Sequence, residues 1–271
     1  MKKVIGSFLF LVVLLAISFG IARDYNQKKI EQNVIKLIPE NALPADSLPA
    51  SRLKLDLKDR ALYANWVSAG KTAPAYFILH GNGETLSDWR PLQAYLLQKG
   101  YSSFVFDYTG FGSSTGKPTV DKLDEDALAA YKKFSELTPE SAERIAFAHS
   151  LGCSILMNVA SELQPLPKKI VIHGAFSTGR AILVNKGMYS EYTKWLVPDI
   201  WNGLVQIRNL RMPIYILHSP NDKTIPIAMG EELAKAAGSN GRFLRLETGG
   251  HNAVYESPND STWQPIFSFI K

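Results

Sequence analysis

The sequence predicts an α/β protein in which helices cover both faces of a mainly parallel, eight-stranded sheet. Two observations carry this prediction: short apolar runs of strand length recur along the chain, and stretches with helical apolar spacing separate the later runs. Two early strands that lie close in sequence, followed by strands that alternate with helices, are typical of a parallel sheet covered on both sides. A chain of 271 residues, 46% of them hydrophobic, is expected to form one such domain.

The individual elements follow from the apolar pattern and the turn residues between them. Strands are expected at residues 53–57, 62–67, 76–79, 103–106, 144–148, 169–172, 214–217 and 243–246. Helices are expected at residues 86–98, 122–136, 151–163 and 228–237. Ligands of such sheets bind beyond the carboxyl ends of the strands, so candidate functional residues are sought there.

An apolar segment opens the chain. Lys2 and Lys3 precede an uncharged, mostly apolar run over residues 4–22, after which charged residues return. This pattern predicts that residues 1–24 are an N-terminal membrane anchor or a signal segment. The leading lysines favour a location of the folded domain on the extracytoplasmic side of the membrane. If the segment is cleaved, the expected location is periplasmic or secreted.

Composition sets further bounds. Residues 25–51 are polar and then interrupted by prolines, which is typical of a linker or stalk, and residues 52–271 are expected to form the folded α/β domain. The formal charge of +5 is modest and includes the two N-terminal lysines, so no nucleic-acid partner is expected. A single cysteine, Cys153, excludes an intrachain disulfide and a multi-cysteine metal site.

The first catalytic candidate is Ser150, in Ala148-His149-Ser150-Leu151-Gly152. A predicted strand runs directly into this segment and a predicted helix follows it directly. A nucleophile elbow needs such a strand, sharp turn and helix, with small residues two positions to either side of the serine. Serine is also favoured as a helix N-cap, which is the alternative interpretation.

Two other serines have similar flanking residues. Ser114 lies in a glycine-rich loop several residues after its strand, and Ser177 lies four residues beyond His173. Neither joins a strand directly to a helix, so sequence context favours Ser150.

A serine hydroxyl needs a base, and the base needs a carboxylate that holds its tautomer. His251 follows the last predicted strand on a glycine-rich loop, and Asp222 lies in the polar loop after the strand at residues 214–217. His173 and His218 lie at strand ends, where a structural role is the more common one. Asp199 is the weaker competitor for the acid.

An oxyanion hole is expected in His80-Gly81-Asn82-Gly83, which follows an apolar strand immediately. The expected donors are the backbone amides of Asn82 and Leu151. His80 itself is expected to be structural. No metal or organic cofactor is expected, because the sequence has no phosphate-binding glycine fingerprint in the right context and no clustered metal ligands.

Together these motifs resemble the α/β-hydrolase family. The resemblance runs from about Leu53 to the C-terminus and rests on His80-Gly81-Asn82-Gly83, residues 106–114, residues 148–152, residues 218–226 and Gly250-His251. It is strongest to compact members that an N-terminal segment anchors at membranes, such as lipid esterases and acyl thioesterases. The resemblance implies hydrolysis of an ester or thioester through an acyl-enzyme on Ser150. Ala148 departs from the glycine that the family often has there, and its methyl group is expected to fit.

The segment at residues 174–210 is short, which predicts a small cap over the site. It is rich in aromatic and apolar residues, so the cap is expected either to pack on the domain or to line an acyl pocket. With the N-terminal segment, this suggests an apolar, lipid-like ester substrate near a bilayer. A serine peptidase or amidase of the same fold, and a non-catalytic binding module, are the alternatives.

Overall fold

The computed structural model describes residues 2–33, 35, 39 and 48–271, and within the first helix it describes the side chains of residues 12, 13 and 16–32. Across these residues, eight strands form one sheet: β1 (Ser51–Asp56), β2 (Ala61–Val67), β3 (Ala75–Leu79), β4 (Ser102–Phe106), β5 (Arg144–His149), β6 (Lys169–His173), β7 (Ile214–His218) and β8 (Gly241–Arg245). Their order is β1-β2-β4-β3-β5-β6-β7-β8. The β1–β2 and β2–β4 pairs are antiparallel, and all the others are parallel. The mainly parallel sheet is therefore confirmed.

Helices flank the sheet in the order that the sequence predicts. In the described residues they are α1 (Lys2–Asn33), α2 (Arg90–Gln98), α3 (Val120–Leu137), α4 (Leu151–Val159), α5 (Gly179–Asn185), α6 (Gly203–Gln206), α7 (Ile227–Ala237), α8 (Ala253–Glu256) and α9 (Asp260–Ile270). The predicted helices correspond to α2, α3, α4 and α7. The short elements α5 and α6 belong to the segment predicted as a small cap.

Two hydrophobic cores lie on opposite faces of the sheet. Neighbouring residues of a strand point to opposite faces, so Phe77 packs in one core and Ile78 in the other. The first core lies beneath α3, α4 and α7, and the second beneath α2 and α9. Because the central strands are buried on both faces, their sequences are continuous apolar runs.

The C-terminal helices α8 and α9 lie beyond the last predicted element. In α9, Pro265 interrupts the helical pattern, since proline in a helix interior removes a backbone hydrogen bond. Trp263, Ile266 and Phe267 are buried in the second core, and this packing holds the helix despite the proline.

The first helix extends beyond the predicted N-terminal segment and packs on the domain. Residues 25–33 continue α1, and the Ile30 side chain is 1% exposed. The Tyr189 hydroxyl donates to Asn26 Oδ1 at 2.9 Å, and the Val120 amide donates to Glu31 Oε1 at 3.2 Å. The rest of the predicted linker, residues 34, 36–38 and 40–47, lies outside the described residues. Among the residues that the structure does describe, no helix has both the length and the apolar character needed to span a bilayer.

The topology places the candidate site at one edge. Because β3, β5, β6, β7 and β8 run parallel, the loops that follow them emerge at the same edge of the sheet. Residues far apart in sequence are thereby brought together in one region.

Candidate active site

Ser150 lies in the turn between β5 and α4 with a strained backbone. Its φ is 51° and its ψ is −116°, in the positive-φ region that non-glycine residues seldom adopt. Its amide donates to the carbonyl oxygen of His173 at 3.0 Å. Ser150 takes the N-cap position of α4, but its side chain makes no capping hydrogen bond. The turn therefore presents this hydroxyl without using it to cap the helix.

Close packing explains the small residue two positions after the serine. A Cβ atom on Gly152 would lie 2.4 Å from the carbonyl oxygen of Leu79 and 2.7 Å from that of His80. Both atoms belong to backbone, so they cannot move aside cheaply. The elbow is thus pressed against the end of β3, where the predicted oxyanion loop begins.

A direct hydrogen bond joins His251 and Asp222. The distance from His251 Nδ1 to Asp222 Oδ2 is 2.6 Å, and the Asp222 side chain is 1% exposed. Residue 174, where β6 ends, is a glycine with φ of 59°, and a Cβ atom there would lie 3.1 Å from the His251 ring. Gly174 therefore leaves space for the imidazole beside the carboxylate.

Asp222 has further partners. Its Oδ1 atom accepts hydrogen bonds from the backbone amides of Thr224 and Ile225, each at 2.8 Å. His218 Nε2 lies 3.4 Å from Oδ2. Burial by itself would raise the pKa of Asp222, but the hydrogen bonds from His218 and His251 outweigh it and hold that pKa well below its usual range. The carboxylate is therefore ionised at neutral pH.

One cavity of about 890 Å³ connects these groups. Ser150, His251, Asn82 and Leu151 all line it, so the predicted nucleophile, base and oxyanion residues face the same space. Asp222 lies behind His251, away from the cavity lining.

The cavity has two different walls. The cap contributes mostly apolar side chains, namely Phe176, Ile182, Leu183, Met188 and Trp201, together with Lys186. The opposite wall comes from the β3–α2 loop and α8, which are in contact through the stacked rings of Trp89 and Tyr255, 4.6 Å apart. That wall carries mostly polar side chains, including Ser87, Asp88, Asn252 and Glu256. The cavity can therefore hold a molecule with one apolar and one polar part.

The remaining histidines are buried. His149 Nδ1 lies 3.1 Å from His173 Nδ1, and burial together with neighbouring histidines lowers the pKa of both rings, that of His173 to about 3. His80 Nδ1 lies 2.8 Å from the carbonyl oxygen of Gly81. His149 and His173 are thus neutral at neutral pH, and none of these three rings lines the cavity.

The competing candidates have structural contacts elsewhere. Ser114 is 6% exposed, donates to the carbonyl oxygen of Asp107 at 2.8 Å and accepts the Tyr63 amide at 3.0 Å. Ser177 is 1% exposed. Asp199 is exposed in the cap and accepts hydrogen bonds from Asn202. These residues are not brought to the cavity.

Cys153 is buried beneath the elbow, and burial raises the pKa of its thiol. Within the described part of the chain, no group of three or more histidine, cysteine, aspartate or glutamate side chains is arranged to hold a metal ion.

Three residues around the site were not assigned a role there by sequence reasoning: Glu84, Gly174 and His218. Gly174 and His218 each follow or end a parallel strand, so their position at the site edge was a usable signal. Glu84 had a weaker signal, its place three residues after Gly81 in the oxyanion loop.

Comparison with known proteins places this architecture in a family. The family model described as "Serine aminopeptidase, S33" matches residues 70–204. An uncharacterised protein of Mycobacterium tuberculosis is 27% identical over 215 residues, which cover 76% of this chain and 74% of that protein. The lysophosphatidylserine lipase ABHD12 of Danio rerio is 25% identical over 213 residues, covering 68% of this chain and 55% of that protein.

Solved structures share the fold. An esterase of Pyrococcus furiosus superposes with a TM-score of 0.67 at 19% identity, over 86% of this chain and 94% of that one. At this identity the likeness concerns the fold alone. Fold, family model and sequence relatives agree, and the chain is a hydrolase that belongs to the α/β-hydrolase family.

Proposed function

We propose that this protein is a serine hydrolase that cleaves esters or thioesters of apolar acyl groups through an acyl-enzyme on Ser150. The observation that carries the proposal is that Ser150, in its strained turn, shares one cavity with a histidine bonded to a buried, ionised aspartate. A serine hydroxyl becomes a nucleophile when such a histidine takes its proton.

In the first half of the reaction, Ser150 Oγ bonds to the substrate carbonyl carbon while His251 takes the hydroxyl proton. The carbonyl electron pair moves to oxygen, and the amides of Asn82 and Leu151 donate hydrogen bonds to the resulting oxyanion. The oxyanion then collapses, the bond to the leaving oxygen or sulfur breaks, and His251 gives its proton to the leaving alcohol or thiol.

In the second half, water replaces the leaving group. His251 takes a proton from the water as its oxygen bonds to the acyl carbon, and a second oxyanion forms in the same hole. Its collapse breaks the bond to Ser150 Oγ, which regains the proton from His251, and the carboxylic acid leaves. Asp222 stays ionised throughout and stabilises the charged imidazolium.

The apolar wall supports an apolar acyl group. Phe176, Leu183 and Trp201 are each at most 5% exposed, so the cap presents a preformed apolar surface to the cavity. The polar wall suits the alcohol or thiol part of the substrate. The similarity to a lysophosphatidylserine lipase supports a lipid ester as the natural substrate.

Amide hydrolysis is the second candidate, and the description of the matching family model as a serine aminopeptidase favours it. The same triad serves both reactions, so the substrates decide between them. Higher turnover of amino-acyl p-nitroanilides than of p-nitrophenyl esters would favour the peptidase.

We also propose that the N-terminal segment holds the enzyme at a membrane, with the catalytic domain on the extracytoplasmic side. The leading lysines and the apolar run at residues 4–22 support this, as do the exposed Ile17 and Ile21 side chains on α1. The ring of Phe19 on α1 stacks on Trp195 of the cap, with centroids 5.8 Å apart. An anchored helix would therefore hold the cap and the cavity near the bilayer surface.

The decisive experiment combines a fluorophosphonate probe with esterase assays on the full chain in detergent. The parent protein is expected to label and to hydrolyse p-nitrophenyl esters, and Ser150→Ala is expected to lose labelling and at least ~10³-fold in kcat.

Ser114→Ala and Ser177→Ala are the matched controls, since both serines are buried and neither lines the cavity. They are expected to keep labelling in their folded fraction. A parent protein that does not label, or a Ser150→Ala variant that still does, would contradict the proposed nucleophile and favour a binding module.

A further inference from the structure

Glu84 is a buried carboxylate beside the catalytic groups that the proposed reaction does not use. It lies in the loop between β3 and α2, is 8% exposed and lines the cavity. Its Oε2 atom accepts the Gly81 amide at 2.8 Å and the Trp89 indole N–H at 2.9 Å. A single carboxylate oxygen thus closes the loop into a ring that encloses Asn82 and Gly83.

The loop is shaped around this carboxylate. A Cβ atom on Gly81 would lie 2.5 Å from Glu84 Oε1 and 3.1 Å from the His149 ring. The carboxylate therefore occupies the space that a side chain at position 81 would need. Gly81 directly precedes Asn82, so whatever fixes the Gly81 peptide also fixes the start of the Asn82 peptide.

Glu84 also connects the loop to the nucleophile turn. Its Oε1 atom lies 3.4 Å from Nε2 of His149, the residue immediately before Ser150. The ring of His149 lies 4.5 Å from that of His251, measured between centroids. The Glu84 side chain therefore contacts both the oxyanion loop and the elbow. His149, which it contacts at the elbow, packs in turn against the proposed base, His251.

The hydrogen bonds of the loop do not depend on one charge state. Burial raises the pKa of Glu84, while the charge of His80 and the hydrogen bonds from Gly81 and Trp89 lower it. Both N–H donors reach Oε2, so a proton on Oε1 would leave them paired.

We propose that Glu84 is a positioning residue for the oxyanion hole: it holds the Gly81–Asn82 segment at the distance from the elbow at which the Asn82 and Leu151 amides meet the same oxyanion. The inference rests on the proposed acyl transfer. It assigns Glu84 a role in the transition state and none in binding the substrate or taking its proton.

The test compares Glu84→Gln and Glu84→Ala with the parent protein on p-nitrophenyl acetate, with active sites counted by exhaustive fluorophosphonate labelling. Loss of an oxyanion donor costs transition-state stabilisation, so kcat is expected to fall ~10- to 100-fold in Glu84→Ala while KM stays within ~2-fold. Glu84→Gln keeps one oxygen acceptor, so its kcat is expected to lie between that of the parent and that of Glu84→Ala.

Gly81→Ala tests the same contact between the loop and Glu84, but changes the loop residue instead of the glutamate. Its Cβ atom would displace the Glu84 carboxylate, so the expected result is again a lower kcat with little change in KM. This variant keeps the Glu84 side chain but shifts its carboxylate away from the loop, so a lower kcat without a higher KM would indicate that the position of the carboxylate matters for the reaction step.

Asp126→Asn is the matched control. Asp126 is also a buried carboxylate that accepts a backbone amide, from Thr109 at 2.7 Å, and a side-chain N–H, from Arg60 at 2.9 Å, but it does not line the cavity. It is expected to lower Tm and to leave kcat per labelled site unchanged.

The proposal is overturned if both Glu84 variants keep kcat per labelled site within twofold of the parent, whatever their Tm. It is also overturned if KM rises while kcat stays the same, which would indicate a substrate contact. Failure of the proposed function looks different, because the parent protein itself would then not hydrolyse the ester.

Discussion

Asp222 is held by two kinds of contact that act together. Its Oδ2 atom accepts a hydrogen bond from the His251 ring, and its Oδ1 atom accepts hydrogen bonds from two backbone amides of its own loop. The loop amides fix the direction of the carboxylate, and the hydrogen bonds from the histidines keep it ionised although it is buried. In the proposed mechanism, both effects serve to orient the imidazole and to stabilise its positive charge.

Asp222→Asn is expected to lower kcat for ester hydrolysis by ~10³- to 10⁴-fold, because the amide stabilises the wrong histidine tautomer and carries no charge. The measurement is kcat on p-nitrophenyl esters together with the rate of fluorophosphonate labelling. Asp199→Asn, an exposed cap residue, is the control and should leave both rates unchanged. A loss below tenfold for Asp222→Asn would contradict its assignment as the acid of the triad.

The buried histidine His173 makes stability depend on pH. Its pKa is about 3 in the folded protein because burial and the neighbouring His251 and His218 disfavour its charge, whereas the pKa of an unfolded histidine is ~6.5. Between these values the unfolded chain binds a proton that folded His173 does not. Its contribution to the free energy of unfolding therefore decreases as pH falls below ~6.5, by up to ~1.4 kcal/mol per pH unit.

Replacing His173 with glutamine removes this pH-dependent contribution to the free energy of unfolding. The free energy of unfolding of the variant minus that of the parent should increase as pH falls from 6.5 to 4.5, at up to ~1.4 kcal/mol per unit. Urea unfolding at several pH values measures this difference in the free energy of unfolding. Other groups contribute equally to both proteins and drop out of the difference. One of them is Asp124, whose pKa is raised to about 7 mainly by burial and whose contribution changes with pH in the opposite direction. A difference that does not vary with pH would show that His173 is not neutral in the fold.

At the scale of elements, we expect the cap to select the substrate. The helix α5 and the turns after it bring apolar side chains to the cavity, while the loops after the strands supply the proposed catalytic groups. Met188 is 48% exposed and lines the cavity, so its replacement changes the wall without disturbing the core.

Met188→Glu is expected to lower kcat/KM for p-nitrophenyl octanoate by ~10-fold and that for the acetate by less than ~2-fold, because a charge would be desolvated by the longer acyl chain. Val205→Glu is the matched control: Val205 is 52% exposed in the same cap segment but does not line the cavity. Equal losses on both esters would mean that the acyl chain does not lie along the cap.

At the scale of the whole molecule, α1 has two parts with different roles. The part after Arg23 packs on the domain through Ile30, Asn26 and Glu31, and Ile35 is buried just beyond it. The earlier part exposes apolar side chains such as Val12, Ile17 and Ile21. We therefore expect the two parts to differ when they are removed.

Deletion of residues 1–22 is expected to release the protein from the membrane fraction while leaving Tm within ~3 °C of the full chain, because the described side chains at residues 12, 13 and 16–21 are exposed. Deletion of residues 1–35 also removes Ile30 and Ile35 from the core and should destabilise the domain by ~2–5 kcal/mol. Fractionation and thermal unfolding measure the two effects. A full chain that never enters the membrane fraction would contradict the proposed anchor.

Much of this protein was predictable from local sequence. Every expected strand is present, with ends that differ by at most two residues, because strands buried on both faces need continuous apolar runs. The sequence identifies Ser150 as the candidate nucleophile because a nucleophile elbow joins a strand directly to a helix, which is a relation between neighbours in the chain. It identifies Asp222 and His251 as candidates because each lies in a loop that follows a predicted strand.

What only the tertiary structure decided are the contacts between loops that are distant in sequence. Glu84 beside His149 and Gly174 beside His251 each join residues that follow or end different strands. No local pattern encodes such pairs, because they depend on the order and register in which the strands pair. Sequence therefore determined the sheet, the elbow and the candidate triad, whereas the fold determined how each catalytic group is packed, charged and held.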